Sequence, residues 1–458
     1  MRAMICWCSI VFALVPTLGA QGQERPLNVL LIMIDDLGWA DLHCQGNQGL
    51  ETPNIDRLAR QGVRFTDAYA AAPVCSPVRA ALLTGKSPAR LHITNHLPHQ
   101  PRFTPKDAVL DPAPMLDHLP LEHVTIAERL RPRGYATGFF GKWHLCGSGR
   151  GELGRGLAAY HPEKQGFDVN VGGCALGGPP TFWDPYRIHQ IPSRKKGEYL
   201  PDRLADEANA FITKNAARPF LLCLWNYTVH WPMEAPKDLV EKYESRVGPG
   251  IRDARYAGMI EAMDRSIGRV LGKLDELKIA DRTLVIFTSD NGGYSGVADN
   301  RPLREGKGYL YEGGIRVPLI IRGPGVKPGR TDATPVITMD LVPTLSEAAG
   351  VTIDDAEIEG VSLWPRLRDT APLAPRALHW HYPAYAWHKS NRLGGAIREG
   401  DLKLIERYDD GSLELYDVAR DLSETTNLAR RRPEDAARLR NSLRSWLKET
   451  NAAMPVRR

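Results

Sequence analysis

The strongest constraint on this chain is the run 27–34, Leu-Asn-Val-Leu-Leu-Ile-Met-Ile, which breaks off into Asp35-Asp36-Leu37-Gly38. Near-continuous hydrophobicity without alternation fits a strand buried on both faces of a parallel sheet. Two adjacent carboxylates at its tip are costly to bury unless a cation holds them. The pattern recurs three times. Residues 135–140 run into Gly141-Lys142-Trp143-His144, residues 220–225 are followed by His230-Trp231-Pro232, and residues 283–289 end in Asp290-Asn291-Gly292-Gly293. Such strands alternating with helical stretches predict an α/β fold: a large, mostly parallel central sheet flanked by helices. Sheets of this kind carry their sites at the carboxyl ends of the strands, where these polar groups fall.

Helical periodicity marks 204–212 and 256–277, and the second places Met259, Met263, Ile267 and Val270 on one core-facing side. Beyond residue 363 the composition shifts. Pro372 and Pro375 mark a linker, followed by short strands at 395–398, 402–405 and 413–416 and a helix at 433–449. This segment predicts a smaller C-terminal α+β subdomain with a short antiparallel sheet. The expected division is a leader over 1–20, a catalytic α/β domain over 24–365 and the subdomain over 376–458.

The leader rests on Arg2, the apolar stretch 5–18 and the small residues Gly19-Ala20, which together read as a signal peptide for a periplasmic or secreted protein. No later segment is long and apolar enough to span a membrane. A net charge of +5 with acidic and basic residues interspersed gives no argument for nucleic acid. After the leader, Cys44, Cys75, Cys146, Cys174 and Cys223 remain, too few for a disulfide framework in a chain of this size. His92, His96 and His99 lie in a Pro- and His-rich stretch without metal-ligand spacing and read as loop residues.

The stretch 74–85, Val-Cys-Ser-Pro-Val-Arg-Ala-Ala-Leu-Leu-Thr-Gly, reads as a short helix. Ser76 is the expected N-cap, Pro77 the first helical residue and Gly85 the stop. Cys75 would then sit just outside the first turn, facing the free N–H groups of a helix start, with Arg79 adding a planar donor fork.

Cys75-x-Pro77-x-Arg79 followed by Thr84-Gly85 resembles the signature of the type I (formylglycine-dependent) sulfatases, arylsulfatase-like enzymes on the alkaline phosphatase superfamily fold. Thr52-Pro53-Asn54, Gly141-Lys142-Trp143-His144-Leu145, His230-x-Pro232, Lys307 within 304–314, and 415–429 resemble further family segments in the same order. Val78 stands where the family more often has serine, and Cys146 where it has glycine.

The resemblance implies that a formylglycine-generating enzyme oxidises Cys75 to formylglycine, whose hydrate attacks the sulfur of a sulfate ester. It implies one Ca2+ held by Asp35, Asp36, Asp290, Asn291 and the oxygen that replaces the Cys75 thiol. Arg79 would hold the nucleophile, Lys142 and Lys307 would neutralise sulfate oxygens, and His230 or Lys307 would protonate the leaving alcohol. His144 would accept a proton when sulfate is expelled. Sulfated carbohydrates are the expected substrates, with small aryl sulfates accepted as well. The aromatic residues of 182–186 either stack on a sugar or pack on one another, and the pattern leaves both open. Two other readings stand beside this one: a phosphate or phosphonate ester hydrolase of the same superfold, and a non-catalytic protein that binds sulfated glycans.

Overall fold

The computed structural model describes residues 26–98, 101–147, 154–388 and 390–458; the expected leader and His99 lie outside them. Eight strands form the main sheet: β1 (Asn28–Ile34), β2 (Val63–Phe65), β3 (Ala136–Gly141), β4 (Val169–Val171), β5 (Phe220–Asn226), β6 (Thr283–Ser289), β7 (Leu319–Arg322) and β8 (Arg330–Asp332). Their order is β8-β2-β7-β6-β1-β5-β3-β4. All run parallel except β7, which is antiparallel to both of its neighbours.

The apolar run of β1 is continuous because it faces two cores. Leu30, Ile32 and Ile34 point into one, while Val29, Leu31 and Met33 point into the other. β5 divides in the same way, with Leu222 and Leu224 opposed to Leu221, Cys223 and Trp225. The first core is covered by helices α1 (Pro53–Gln61), α3 (Leu200–Asn215) and α4 (Ala254–Glu276); Met259, Met263, Ile267 and Val270 of α4 all lie in it. The second is covered by α2 (Cys75–Thr84) and α5 (Leu341–Ala348), through Ala80, Leu82 and Leu83 and through Leu341, Val342 and Leu345. Fully burying each Leu, Ile or Val contributes about 1.5–3 kcal/mol, so these two layers supply most of the driving force for the sheet.

The C-terminal region forms a four-stranded antiparallel sheet in sequence order, β9 (Ala377–Tyr382), β10 (Gly394–Glu399), β11 (Leu402–Arg407) and β12 (Leu413–Asp417). Helix α6 (Pro433–Glu449) starts with Pro433 and carries Glu434 and Asp435 in its first turn and Lys448 in its last, matching the helix dipole. Its Leu439, Leu443 and Leu447 pack on Ile397, Leu404 and Leu415. The opposite sheet face, with Trp380, Tyr382, Ala396, Ile405 and Tyr416, packs on Tyr69, Val74, Ala81 and the 309–311 segment. The small sheet therefore backs the segments that present Cys75 and Lys307.

Candidate active site

Four adjacent strands, β6-β1-β5-β3, bring their carboxyl ends to one place. Ile34 of β1 is in register with Ser289 and Asn226, so Asp35-Asp36 emerge beside Asp290-Asn291. Gly141 ends β3 at φ 108°, and a Cβ there would lie 1.9 Å from the Trp225 carbonyl oxygen. Only glycine lets the two strand ends approach this closely, and the contact directs Lys142 over the tip of β1. Asp36 has a left-handed backbone, φ 63°. Its N–H donates to Asp290 Oδ1 (3.1 Å) and its carbonyl accepts from the Tyr256 hydroxyl (3.0 Å), which hold it in that uncommon conformation.

Helix α2 begins two residues earlier than expected. Cys75 is its first residue and the extended Val74 its N-cap position, with no side-chain cap. Ser76 does not cap because its hydroxyl accepts the Leu97 N–H (3.1 Å), a partner 21 residues away. Cys75 is buried, and burial pushes its thiol above the usual range even though Lys142 and Lys307 lie near it. The thiol is therefore protonated at neutral pH and is a weak nucleophile as it stands.

Buried charges pack tightly around it. Arg79 donates through Nε (3.0 Å) and Nη2 (2.6 Å) to Asp290 Oδ2, and through Nη1 to the Lys142 carbonyl (2.6 Å). Lys142 Nζ donates to Asp35 Oδ2 (2.6 Å), and Lys307 Nζ to Asp36, 2.6 Å from Oδ1 and 2.8 Å from Oδ2. Three carboxylates thus face three cations. Burial, with Asp290 and Asp36 beside it, holds Asp35 well above the ordinary carboxyl range despite Lys142 and Arg79. For Asp36 burial pushes the same way, but Lys307, His230 and Lys142 overcome it and keep the carboxylate well below that range. Lys307 is raised against its own burial, chiefly by Asp36, and stays protonated.

The two histidines are both neutral and hold opposite tautomers. His144 is buried, and burial with Lys142 nearby lowers it well below its ordinary value. Its Nε2–H donates to the Leu97 carbonyl, which leaves Nδ1 a buried acceptor with no partner. His230 is lowered to about 3 by burial and by Lys307. Its Nδ1–H donates to the Trp231 carbonyl (2.8 Å), and its Nε2 lies 3.8 Å from Asp36 Oδ2.

Ligand atoms of Asp35, Asp36 and Cys75 lie within 4.8 Å of one another. Two oxygens in this neighbourhood, Asp35 Oδ1 and Asn291 Oδ1, are buried without a hydrogen-bond partner. The Asn291 amide nitrogen is spoken for, donating to Asp36 Oδ1 (2.8 Å) and to the Gly292 carbonyl (3.0 Å). Unpaired oxygens among carboxylates, with no imidazole in the group, fit a hard divalent cation of the Ca2+ or Mg2+ kind. Asp290 is less free, since Arg79 and the Asp36 N–H already occupy both of its oxygens.

The ten residues expected to carry catalysis or hold the metal therefore meet at one centre: Asp35, Asp36, Cys75, Arg79, Lys142, His144, His230, Asp290, Asn291 and Lys307. The aromatic stretch 182–186 does not join them. Phe182 and Tyr186 are buried in the first core, and Trp183 packs on Tyr199 (4.7 Å between ring centroids). A different set of aromatic residues borders the centre. A cavity of about 480 Å³ includes Asp36, His230 and Lys307 in its wall together with Trp231, Tyr294 and Trp387. Trp231 belongs to a segment already singled out, but nothing local in the sequence marks Tyr294 or Trp387. The five described cysteines are free thiols.

A model of the sulfatase family matches residues 27–351, and one described as N-sulphoglucosamine sulphohydrolase, C-terminal, matches residues 305–453. A sulfatase of Formosa agariphila is 33% identical over 500 residues, covering 94% of this chain and 90% of its own. Steryl-sulfatase of Mus musculus is 34% identical over 463 residues, 81% of this chain and 71% of its own. Among solved structures, Ps i-CgsB in complex with k-i-k-neocarrahexaose matches with a TM-score of 0.79 and 29% identity, covering 92% of this chain and 93% of that one.

Proposed function

The chain belongs to the sulfatase family and hydrolyses sulfate esters, and from that premise we propose that it acts on sulfated carbohydrates with Cys75 as the reactive position, converted to formylglycine. The observation that carries this reading is the buried convergence of Cys75 with Arg79, Lys142, Lys307 and the Asp35-Asp36 pair at four strand tips. A protonated, buried thiol gives little nucleophilic power by itself, which is why a modified residue is needed here. The modified residue, as its hydrate, supplies an oxygen nucleophile and a second hydroxyl on the same carbon. Support for a carbohydrate substrate comes from the similar structure of Ps i-CgsB, which is in complex with k-i-k-neocarrahexaose.

Asp35, Asp36, Asp290, Asn291 and the oxygen at position 75 would hold one Ca2+. When bound, the ion makes a centre of three carboxylates and three cations net positive, and so suited to an anionic ester. Arg79, rigid in its three hydrogen bonds, fixes Asp290 and the backbone of Lys142 and so sets the floor of the site. Lys142 and Lys307 present ammonium groups to sulfate oxygens as their charge develops. Asp36 holds the proton on Lys307 firmly, so Lys307 neutralises charge rather than giving its proton away. His230 is the better acid: an anionic ester beside Nε2 raises its proton affinity, and the protonated ring then donates to the leaving oxygen. The unpartnered Nδ1 of His144 is a free hydrogen-bond acceptor, though burial beside Lys142 makes the ring a weak base.

Export forms part of the proposal and rests on the apolar stretch 5–18. Among the described residues no helix is long and apolar enough to cross a membrane. The test is sulfate release from a panel of sulfated mono- and disaccharides, measured for the wild type and for Cys75→Ala. The reading predicts turnover that Cys75→Ala abolishes. Equal turnover by the two proteins overturns Cys75 as the reactive position, and turnover of aryl sulfates without any sugar overturns the carbohydrate reading.

A further inference from the structure

The cavity beside the reacting centre is lined by one more cation, Arg102. Its surroundings differ from those of every other cation at this centre. Arg79, Lys142 and Lys307 are buried and each is bound to a carboxylate. Arg102 is exposed, and among the described residues no carboxylate pairs with it. Among the described residues its guanidinium meets the Phe103 ring, whose centroid lies 5.2 Å from the guanidinium carbon. A guanidinium stacked on a ring keeps its N–H edge free, and that edge is a planar fork shaped for a carboxylate or a sulfate. Phe103 in turn packs edge-on against Trp387 (6.2 Å), whose ring carries Lys307 Nζ 5.4 Å from its centroid. A continuous aromatic wall therefore runs from the lysine of the reacting centre to the unpaired arginine.

Opposite chemistry is present in the same cavity. Trp231 is 56% exposed, and Tyr294 and Met233 also line the cavity. Exposed indole at the mouth of a cleft is costly unless something covers it, and the flat apolar face of a sugar ring is a suitable cover. A volume of about 480 Å³ falls in the range of small-ligand sites and takes about one or two sugar rings.

We propose that this cavity is a sugar subsite in which Arg102 reads a second anionic group, so that the preferred substrates are acidic glycans carrying a sulfate or a carboxylate besides the sulfate that is cleaved. The inference rests on the carbohydrate reading above and narrows its substrate class. The guanidinium fork binds either kind of anion, and the substrates of the test separate them.

Three sulfated disaccharides provide the test: one with a single sulfate, one with a second sulfate on the neighbouring ring, and one with a uronic acid as that ring. The wild type is expected to favour one or both doubly charged forms in kcat/KM by about 10- to 100-fold, the range of one charge-assisted pair, chiefly through KM. Arg102→Gln brings that ratio close to one, and Arg102→Lys restores part of it. A gain for the disulfated form alone identifies the second group as sulfate, and a gain for the uronate form alone identifies it as carboxylate. A wild-type ratio near one, or a ratio that Arg102→Gln leaves intact, overturns the proposal. Calorimetric binding of the same three sugars to Cys75→Ala, with and without Arg102→Gln, reads the subsite without turnover. A preference in Kd that disappears with Arg102→Gln supports the subsite even if the assigned chemistry at Cys75 fails, and equal Kd values for all three sugars overturn it.

Discussion

Lys403 is fully buried between two glutamates, 2.9 Å from Glu312 Oε1 and 3.0 Å from Glu424 Oε1, and replacing it with methionine tests how the small sheet is fastened to the catalytic segments. Glu312 keeps two other partners, Arg316 (3.1 Å) and the Tyr69 hydroxyl (2.7 Å). Among the described residues the Glu424 carboxylate keeps only the Glu312 N–H (2.7 Å), so most of the damage falls on it. Removing one member of a buried ion pair costs about 3–5 kcal/mol when the partner stays charged. Burial already raises the Glu424 carboxyl above its ordinary value of 4.5, with Lys403 pulling it down and Glu312 pushing it up. Without Lys403 it rises further and takes up a proton. A carboxyl whose folded value lies above its unfolded one binds protons more readily in the folded state, so stability falls as pH rises through that interval. Lys403→Met is therefore expected to cost about 3–5 kcal/mol at pH 8 but only about 1–2 kcal/mol at pH 5.5, where protonation relieves the unpaired charge. Urea unfolding of both proteins at the two pH values measures this, and adding Glu424→Gln should recover much of the loss at pH 8. An equal loss at both pH values, or a loss under about 1 kcal/mol at pH 8, refutes the reasoning.

Lys142→Ala removes the ammonium on Asp35 and one donor for sulfate oxygens, and is expected to lower kcat/KM by about 10²–10³-fold in a sulfate-release assay. Chelation of divalent cations should abolish turnover and lower Tm, and added Ca2+ at a hundred times its Kd should return about 2.7 kcal/mol of stability. His381 is buried, bonded to the Tyr408 hydroxyl and the Ala453 carbonyl, and lowered to about 4 by burial. A histidine lowered in the folded state loses stability as pH falls from the ordinary value toward 4, so His381 should cost up to about 3 kcal/mol by pH 4, and unfolding of His381→Gln should show a shallower acid decline.

The sheet and the centre were legible in the sequence for one reason. Runs such as 27–34 and 283–289 face two cores, so their apolar character is unbroken, and it ends where a charged group begins. That break places Asp35, Lys142, His230 and Asp290 on one edge before any contact is known. The helix start, expected at Pro77 and found at Cys75, was misplaced by two residues because Ser76 spends its hydroxyl on Leu97, a partner that capping rules, which are local, do not see. Likewise, composition cannot tell an aromatic residue that lines a cavity from one that fills a core. Phe182 and Tyr186 turned inward, while Trp387 of the C-terminal region and Arg102 of a single 3-10 turn (Pro101–Phe103) came to the cavity through tertiary packing alone.

The central claim is that position 75 is no longer a cysteine in the working enzyme. Mass spectrometry of the peptide containing residue 75, from protein made in its native host, tests it most directly. The account predicts a peptide that has lost one sulfur and two hydrogens and gained one oxygen, and that reacts with an aldehyde probe. An active enzyme whose peptide carries only the unmodified thiol would contradict it.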